Sequence, residues 1–342
     1  LREAAEKSMV LLKNESILPI NSNQRVVFCG PMIDSDDIIG EWAGRSTRED
    51  VISIAQALKN KSTSWLVSED VQAIQAANVV VMALGEASEE AGEGNSKTNL
   101  YLSKEQREYF RKVYALNENI VLVLFAGRPL MISEYSKLAK AILFAYQPGI
   151  QGGPAVVSLL SGEKSPSGKL TMTFPYHEGQ IPIYYNHYQT GRPIIPEHLE
   201  YRYNSHYRDC QNDPLYPFGY GLSYGHFIYK DFRINQQILK EHDKLIVEID
   251  VFNDSQYHAD EIVQCYIEAL VFSVSRPVNE LKRFKRVSFE PYETQTISFA
   301  LTIEDFRSFN LDMNWTAEHR FYKIKIGPNS RDLKEKKVEV FD

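Results

Sequence analysis

Gly85-Glu86-Ala87-Ser88-Glu89-Glu90-Ala91-Gly92-Glu93-Gly94-Asn95 places four glutamates in one short segment, directly after the apolar run Val79–Leu84. Hydrolysis of a glycosidic bond usually needs two carboxyl groups flanking it, one as general acid and the other as nucleophile or base. Crowding of like charges raises the pKa of one carboxyl in a group, which suits a general acid. Glu93 stands between Gly92 and Gly94, and glycines let the backbone bend so that a side chain can be presented to a neighbouring domain. The plainer reading is a solvated acidic surface loop, and charge crowding alone does not choose among the four. No His adjoins the segment and its spacing matches no calcium loop, so no metal is expected there.

Other chemistries find less support. Gly149-Ile150-Gln151-Gly152-Gly153 precedes a helix-like stretch but lacks the Walker lysine, and it reads as a tight strand-to-helix turn. No GxSxG elbow marks a serine nucleophile, and no dinucleotide fingerprint follows a strand, so no cofactor is expected. Cys29, Cys210 and Cys265 have neither CxxC nor metal-ligand spacing. Cys29 and Cys265 lie in apolar strand-like runs and read as buried thiols. The net charge of −7 argues against a nucleic-acid partner. The basic cluster Arg283, Lys285 and Arg286 reads as a solvated strand face. No apolar run reaches the roughly 18 residues of a membrane helix. Sequons at Asn14, Asn60, Asn253 and Asn314 bear on function only in a eukaryotic source.

The elements that must position the acidic segment come in two sets. With 342 residues, 43% of them apolar, the chain has material for about two domains, each with its own core. In the first half, helical spacing predicts a helix over Arg2–Lys13, then a strand over Val26–Cys29 and a helix over Val51–Leu58. Val79–Leu84, Ile120–Phe125 and Ala141–Ala145 are short continuous apolar runs. They alternate with helices predicted over Lys104–Leu116, with Ser103 as N-cap, and over Gly152–Leu160. Such alternation predicts βαβ units and a mostly parallel sheet buried on both faces, with functional loops at the carboxyl ends of its strands. Between Phe174 and Tyr224 the chain is dense in Pro, Tyr, Gly and His and reads as a long ordered connector. The last third alternates at period two. Strands are expected over Leu245–Phe252, Ile262–Ile267, Lys285–Phe289, Thr294–Leu301 and Phe321–Ile326, within a sandwich of about seven strands.

Several ordered segments then make the sequence similar to glycoside hydrolase family 3, in the β-glucosidase and β-xylosidase branch that carries a C-terminal fibronectin-III-like domain. They are Arg2 through Asn14, Gly127-Arg128-Pro129-Leu130, Pro148 through Gly153, Ser165 through Leu170 and Leu215 through Tyr224. Arg276-Pro277-Val278 and Leu281-Lys282-Arg283-Phe284 follow. Tyr184 through Pro193 carries a likeness to periplasmic bacterial members.

The resemblance implies an α/β/α sandwich over residues 1–175, a connector over 176–224 and a fibronectin-III-like, immunoglobulin-like β-sandwich over 225–342. It implies a retaining exo-β-glycosidase acting on an oligosaccharide or β-glucoside, periplasmic or secreted, with no cofactor. In such enzymes the nucleophilic Asp lies on an N-terminal TIM-like barrel and the acid/base Glu on the loop after the strand matching Val79–Leu84. By position Glu93 matches that acid/base residue, with Glu90 second, and Glu86 matches a loop-shaping role. The chain begins inside a family helix, so the barrel is expected upstream in the parent polypeptide, as its principal partner. A homodimer is compatible with the sequence. The other function considered is a non-catalytic carbohydrate-binding or scaffolding fragment. Departures from the family pattern are Gly94-Asn95-Ser96-Lys97 after the acid/base position, and Arg283 and Tyr292 where glycines are common.

Overall fold

The computed structural model describes residues 1–44, 47–59, 64–90, 92–193, 201–270 and 272–341. The sequon at Asn60, Pro196 of the connector and Ala91 of the acidic segment lie outside these. The chain divides into two compact units, one formed by Leu1–Gly179 with Gly221–Tyr224, the other by Gln180–Tyr220 with Gly225–Asp342.

The first unit comprises α1 (Arg2–Ser8), β1 (Val10–Asn14), β2 (Val26–Cys29), α2 (Ile54–Lys59), β3 (Trp65–Val67), α3 (Val71–Ala76), β4 (Val79–Gly85), α4 (Lys104–Leu116), β5 (Ile120–Phe125), α5 (Ser133–Leu138), β6 (Ala141–Tyr146) and α6 (Gly152–Leu160). Its six strands lie in the order β1-β6-β5-β4-β2-β3. All neighbours pair in parallel except β1 with β6. Every residue of β2, β4 and β5 is buried, so both faces of the sheet are covered, as the continuous apolar runs require. Ser103 caps α4 by accepting from the Gln106 N–H at 3.2 Å, and Phe110 on its buried face meets Tyr135 of α5 edge-on at 4.7 Å.

The opening segment differs from expectation. The helix stops at Ser8, Met9 is extended, and Val10–Asn14 pairs antiparallel with β6, Val10 opposite Phe144 and Asn14 opposite Ala141. Met9, Val10, Leu11 and Leu12 are each at most 1% exposed. Four consecutive buried side chains suit an enclosed strand, whereas a surface helix would turn some of them to water. The expected helix over Val51–Leu58 is likewise shortened to α2.

The second unit contains β7 (Phe227–Ile234), β8 (Ile238–Leu239), β9 (Leu245–Asn253), β10 (Ala259–Ala269), β11 (Glu280–Phe289), β12 (Thr294–Leu301), β13 (Ser308–Phe309), β14 (Trp315–Thr316), β15 (Arg320–Gly327) and β16 (Lys334–Val340). They form a five-stranded sheet β11-β10-β15-β16-β8, a three-stranded sheet β12-β9-β7 and a small hairpin β13-β14. Leu245, Val247, Ile249 and Val251 alternate into the core at 0% exposure, and meet Val263, Cys265, Ile267, Ile324 and Ile326 of the other sheet in one cluster. Each such aliphatic side chain contributes about 1.5–3 kcal/mol. The molecule is thus an α/β sandwich followed by an all-β fibronectin-III-like sandwich.

Part of the Tyr-rich stretch belongs to this second unit. Tyr185 stacks on Phe218 at 4.2 Å and meets Tyr266 of β10 edge-on at 5.9 Å. Tyr188 bridges Pro277, and the Val278 N–H donates to the His187 carbonyl at 2.9 Å. Gly221–Tyr224 belongs to the first unit. There the Tyr224 hydroxyl donates to the Leu159 carbonyl at 2.7 Å and the Leu222 N–H to the Leu11 carbonyl at 2.8 Å.

Candidate active site

β2 leads to β3 on one side of the sheet, while β4, its other neighbour, leads away to β5. In open α/β sheets ligands bind outside the carboxyl ends of the strands at such a reversal, where the diverging loops leave a crevice. The bordering segments here are residues 30–40, after β2, and residues 86–99, after β4. The glutamate-rich segment therefore occupies the place where this topology favours a ligand.

Its base is held by Arg128, from the turn after β5. Glu86 is 7% exposed, and Arg128 grips it in a forked pair, Nη2 to Oε1 at 2.6 Å and Nε to Oε2 at 3.1 Å. The same Nη2 donates to the Asn99 carbonyl at 2.9 Å, which ties the end of the loop to its start. Lys97 Nζ lies 3.4 Å from Glu86 Oε1 and also pairs with Glu90. A buried carboxylate needs such partners, because desolvation of a lone charge costs several kcal/mol.

From the segment after β2, Asp37 Oδ1 accepts from the Ser88 N–H at 3.2 Å and from the Ser88 hydroxyl at 2.9 Å. Arg48 donates to Ser88 Oγ at 2.8 Å and reaches Asp36 and Asp37 at 2.8 and 3.2 Å. Burial opposes ionisation of Asp37, but the Ser88 donors and Arg48 outweigh it and hold the carboxyl below its usual range. Loop 86–99 is therefore anchored from both β2 and β5.

Glu93 stands apart from this network. Its side chain is exposed, and no hydrogen bond or ion pair reaches its carboxylate among the described residues. Gly92 and Gly94 both have positive φ, +137° and +78°. At Gly92 a Cβ would fall 2.9 Å from Glu41 Cγ and 3.6 Å from Trp42 Nε1. Trp42, 72% exposed, thus lies beside the approach to Glu93. Glu89 is exposed, and Glu90 is half-buried with Lys97. Sequence reasoning singled out the loop and expected Glu86 to help shape it, and the structure puts Glu86 at the base of the loop, paired with Arg128. Sequence reasoning did not find Asp37, Arg48 or Ser88, and it read Arg128 only as part of a turn. The signal available was position for Asp37, Ser88 and Arg128, which lie in the segments following β2, β4 and β5, whereas Arg48 lies in a 3₁₀ turn before α2 and carried no such signal.

Gly149–Gln151 forms a 3₁₀ turn leading straight into α6, the strand-to-helix role expected of the glycine-rich stretch. Burial pushes the Cys29 and Cys265 thiols up to about 12, so neither is a nucleophile at neutral pH. Asn253 is 0% exposed, which closes that sequon to modification in the folded state. Among the described residues no cluster of His, Cys, Asp and Glu is arranged to hold a metal, and no helix is long and apolar enough to cross a membrane.

Fold and site together define an α/β sandwich domain with a carboxylate-bearing loop at its strand reversal, followed in the same chain by a fibronectin-III-like sandwich. Known proteins share this pair of domains. A family model described as the glycosyl hydrolase family 3 C-terminal domain matches residues 9–224, and one described as a fibronectin type III-like domain matches residues 261–330. A periplasmic β-glucosidase of Salmonella typhimurium is 32% identical, the match covering 99% of this chain and 49% of that protein. A thermostable β-glucosidase B of Acetivibrio thermocellus is also 32% identical, over 97% of this chain and 47% of its own length. The crystal structure of a β-glucosidase from Listeria innocua in complex with gluconolactone superposes with a TM-score of 0.94 at 36% identity, covering 100% of this chain and 49% of that one. The chain belongs to glycoside hydrolase family 3. It spans about half the length of the curated relatives it matches.

Proposed function

We propose that this chain is the C-terminal portion of a retaining exo-β-glycosidase of the β-glucosidase type. It removes terminal non-reducing β-linked sugars from a β-glucoside or oligosaccharide. Glu93 serves as general acid and then as base, and the nucleophilic Asp comes from a barrel elsewhere in the parent polypeptide. A periplasmic or secreted location goes with this reading, through the likeness to the Salmonella periplasmic enzyme.

The supporting observation is the division of labour within the loop. Glu86 and Glu90 are occupied by Arg128 and Lys97. Glu93 is exposed, unpaired among the described residues and held between two glycines of positive φ. A general acid must reach the leaving-group oxygen, so its carboxyl has to be available rather than neutralised within the protein.

The test is Glu93→Gln, Glu90→Gln and Glu86→Gln in the complete parent enzyme. Glu93→Gln should slow alkyl glucosides by about 10²–10⁴-fold, because general acid assistance is worth that much. Glycosylation by dinitrophenyl glucosides should suffer far less, since a good leaving group needs little protonation. Azide, which attacks without a base, should restore turnover of activated substrates. Loss and rescue at Glu90 with Glu93→Gln near normal would move the acid/base role to Glu90. Neither at any of the three would place it outside this set and overturn the assignment to Glu93.

A further inference from the structure

Glu93 sits at the tip of a loop whose two arms are tied together below it. Asn95 Nδ2 donates to the Glu89 carbonyl at 3.0 Å. Lys97, on the outgoing arm, reaches Glu90 on the incoming arm and Glu86 at the base, the latter at 3.4 Å. Both ties span residues 91–94. Arg128 fixes the base through Glu86 and the Asn99 carbonyl, but nothing it touches lies nearer the tip than Glu86. Of the charged side chains in this network, Lys97 is the one that carries the restraint from the rigid sheet end up toward Glu93.

We infer that Lys97 is a positioning residue for the acid/base carboxyl, acting as a cross-brace that holds the Glu93 tip in one geometry. The inference rests on Glu93 being the acid/base residue. An unbraced glycine-flanked tip samples many backbone states, whereas proton donation demands placement at hydrogen-bond distance from the leaving oxygen. A displacement of about 1 Å costs on the order of 10²-fold in rate. The brace is separable from the fold. Glu86 has its forked bond to Arg128 independently of Lys97, and the Lys97 side chain is 32% exposed.

The experiment compares Lys97→Met, Lys97→Arg and Glu93→Gln in the complete parent enzyme, using an alkyl and a dinitrophenyl β-glucoside. Lys97→Met should lower kcat/KM for the alkyl glucoside about 10–100-fold relative to the dinitrophenyl glucoside. The fall should lie in kcat, with KM little changed. Lys97→Arg, which can still bridge two carboxylates, should restore most of the loss. Equal losses on both substrates would mark Lys97 as a stability residue and overturn the inference, as would unchanged kinetics. Lys97→Gln serves the same comparison if Lys97→Met fails to fold. The parallel Glu93→Gln series separates the two claims. Leaving-group dependence at Glu93 but not at Lys97 removes the brace alone. The reverse keeps a braced loop but assigns its acid to another carboxyl.

Discussion

Tyr292, in the turn between β11 and β12, has φ +59°, a left-handed conformation that costs a residue with a Cβ about 1–2 kcal/mol. The side chain is 63% exposed, so packing returns little of that cost. Tyr292→Gly should therefore raise stability by about 0.5–1 kcal/mol, after allowing for the greater entropy of glycine in the unfolded chain. Denaturant unfolding of the two proteins checks this, and a lower midpoint for the glycine variant would contradict it. The family resemblance identified Tyr292 as standing where glycine is common, and the turn has kept the backbone state that glycine suits. Arg283, the other such position, has instead acquired a partner, Asp305, at 2.7 Å. Local sequence could place both residues but could not show which had found compensation, because Asp305 lies in a different element.

At the scale of elements, α6 begins against the backbone that leads into α2. The Gly153 N–H donates to the Ile52 carbonyl at 3.1 Å, and a Cβ at Gly153 would lie 2.2 Å from the Ser53 carbonyl oxygen. Backbone cannot yield as a side-chain tip can. Gly153→Ala should therefore cost about 3 kcal/mol, at the upper end for overpacking, seen as a lower thermal midpoint with unchanged secondary-structure content. An unaltered midpoint would mean the two segments separate more easily than their packing indicates. The elements themselves were legible where pattern and burial agree. α4 runs over the predicted Lys104–Leu116 with the predicted cap, and β9 alternates as its side chains do. β1 was misread because Ala4, Ala5, Met9 and Leu12 fit a helical spacing while Met9–Leu12 also form an unbroken apolar run. The open edge of β6 decided between them, since pairing there satisfies the Val10–Asn14 backbone and buries its side chains together.

For the whole molecule, the proposed retaining mechanism sets a geometric limit. Its two carboxyls must stand about 5–5.5 Å apart on either side of the scissile bond, and the proposed nucleophile belongs to another part of the polypeptide. Pure chain spanning residues 1–342 should therefore leave a nitrophenyl β-glucoside intact, and adding it to buffer should not raise nitrophenolate release above background. Turnover by contaminant-free protein would mean that both catalytic groups reside here and would overturn the division of roles proposed above.

Order and type of most elements, the acidic segment after β4 and the family were determined by the sequence itself. Those features follow from local periodicity, from turn residues and from motifs contiguous in the chain. Tertiary structure decided which glutamates of the loop are paired among the described residues. Arg128 and Lys97 reach Glu86 from the neighbouring strand end and from the far arm of the loop, and Asp37 and Arg48 hold Ser88 from the segment between β2 and α2. Ion pairing and hydrogen bonding depend on distances of a few ångströms, here between residues 42 positions apart for Arg128 and Glu86 and 51 apart for Asp37 and Ser88, and only closure of the parallel sheet brings those residues within reach.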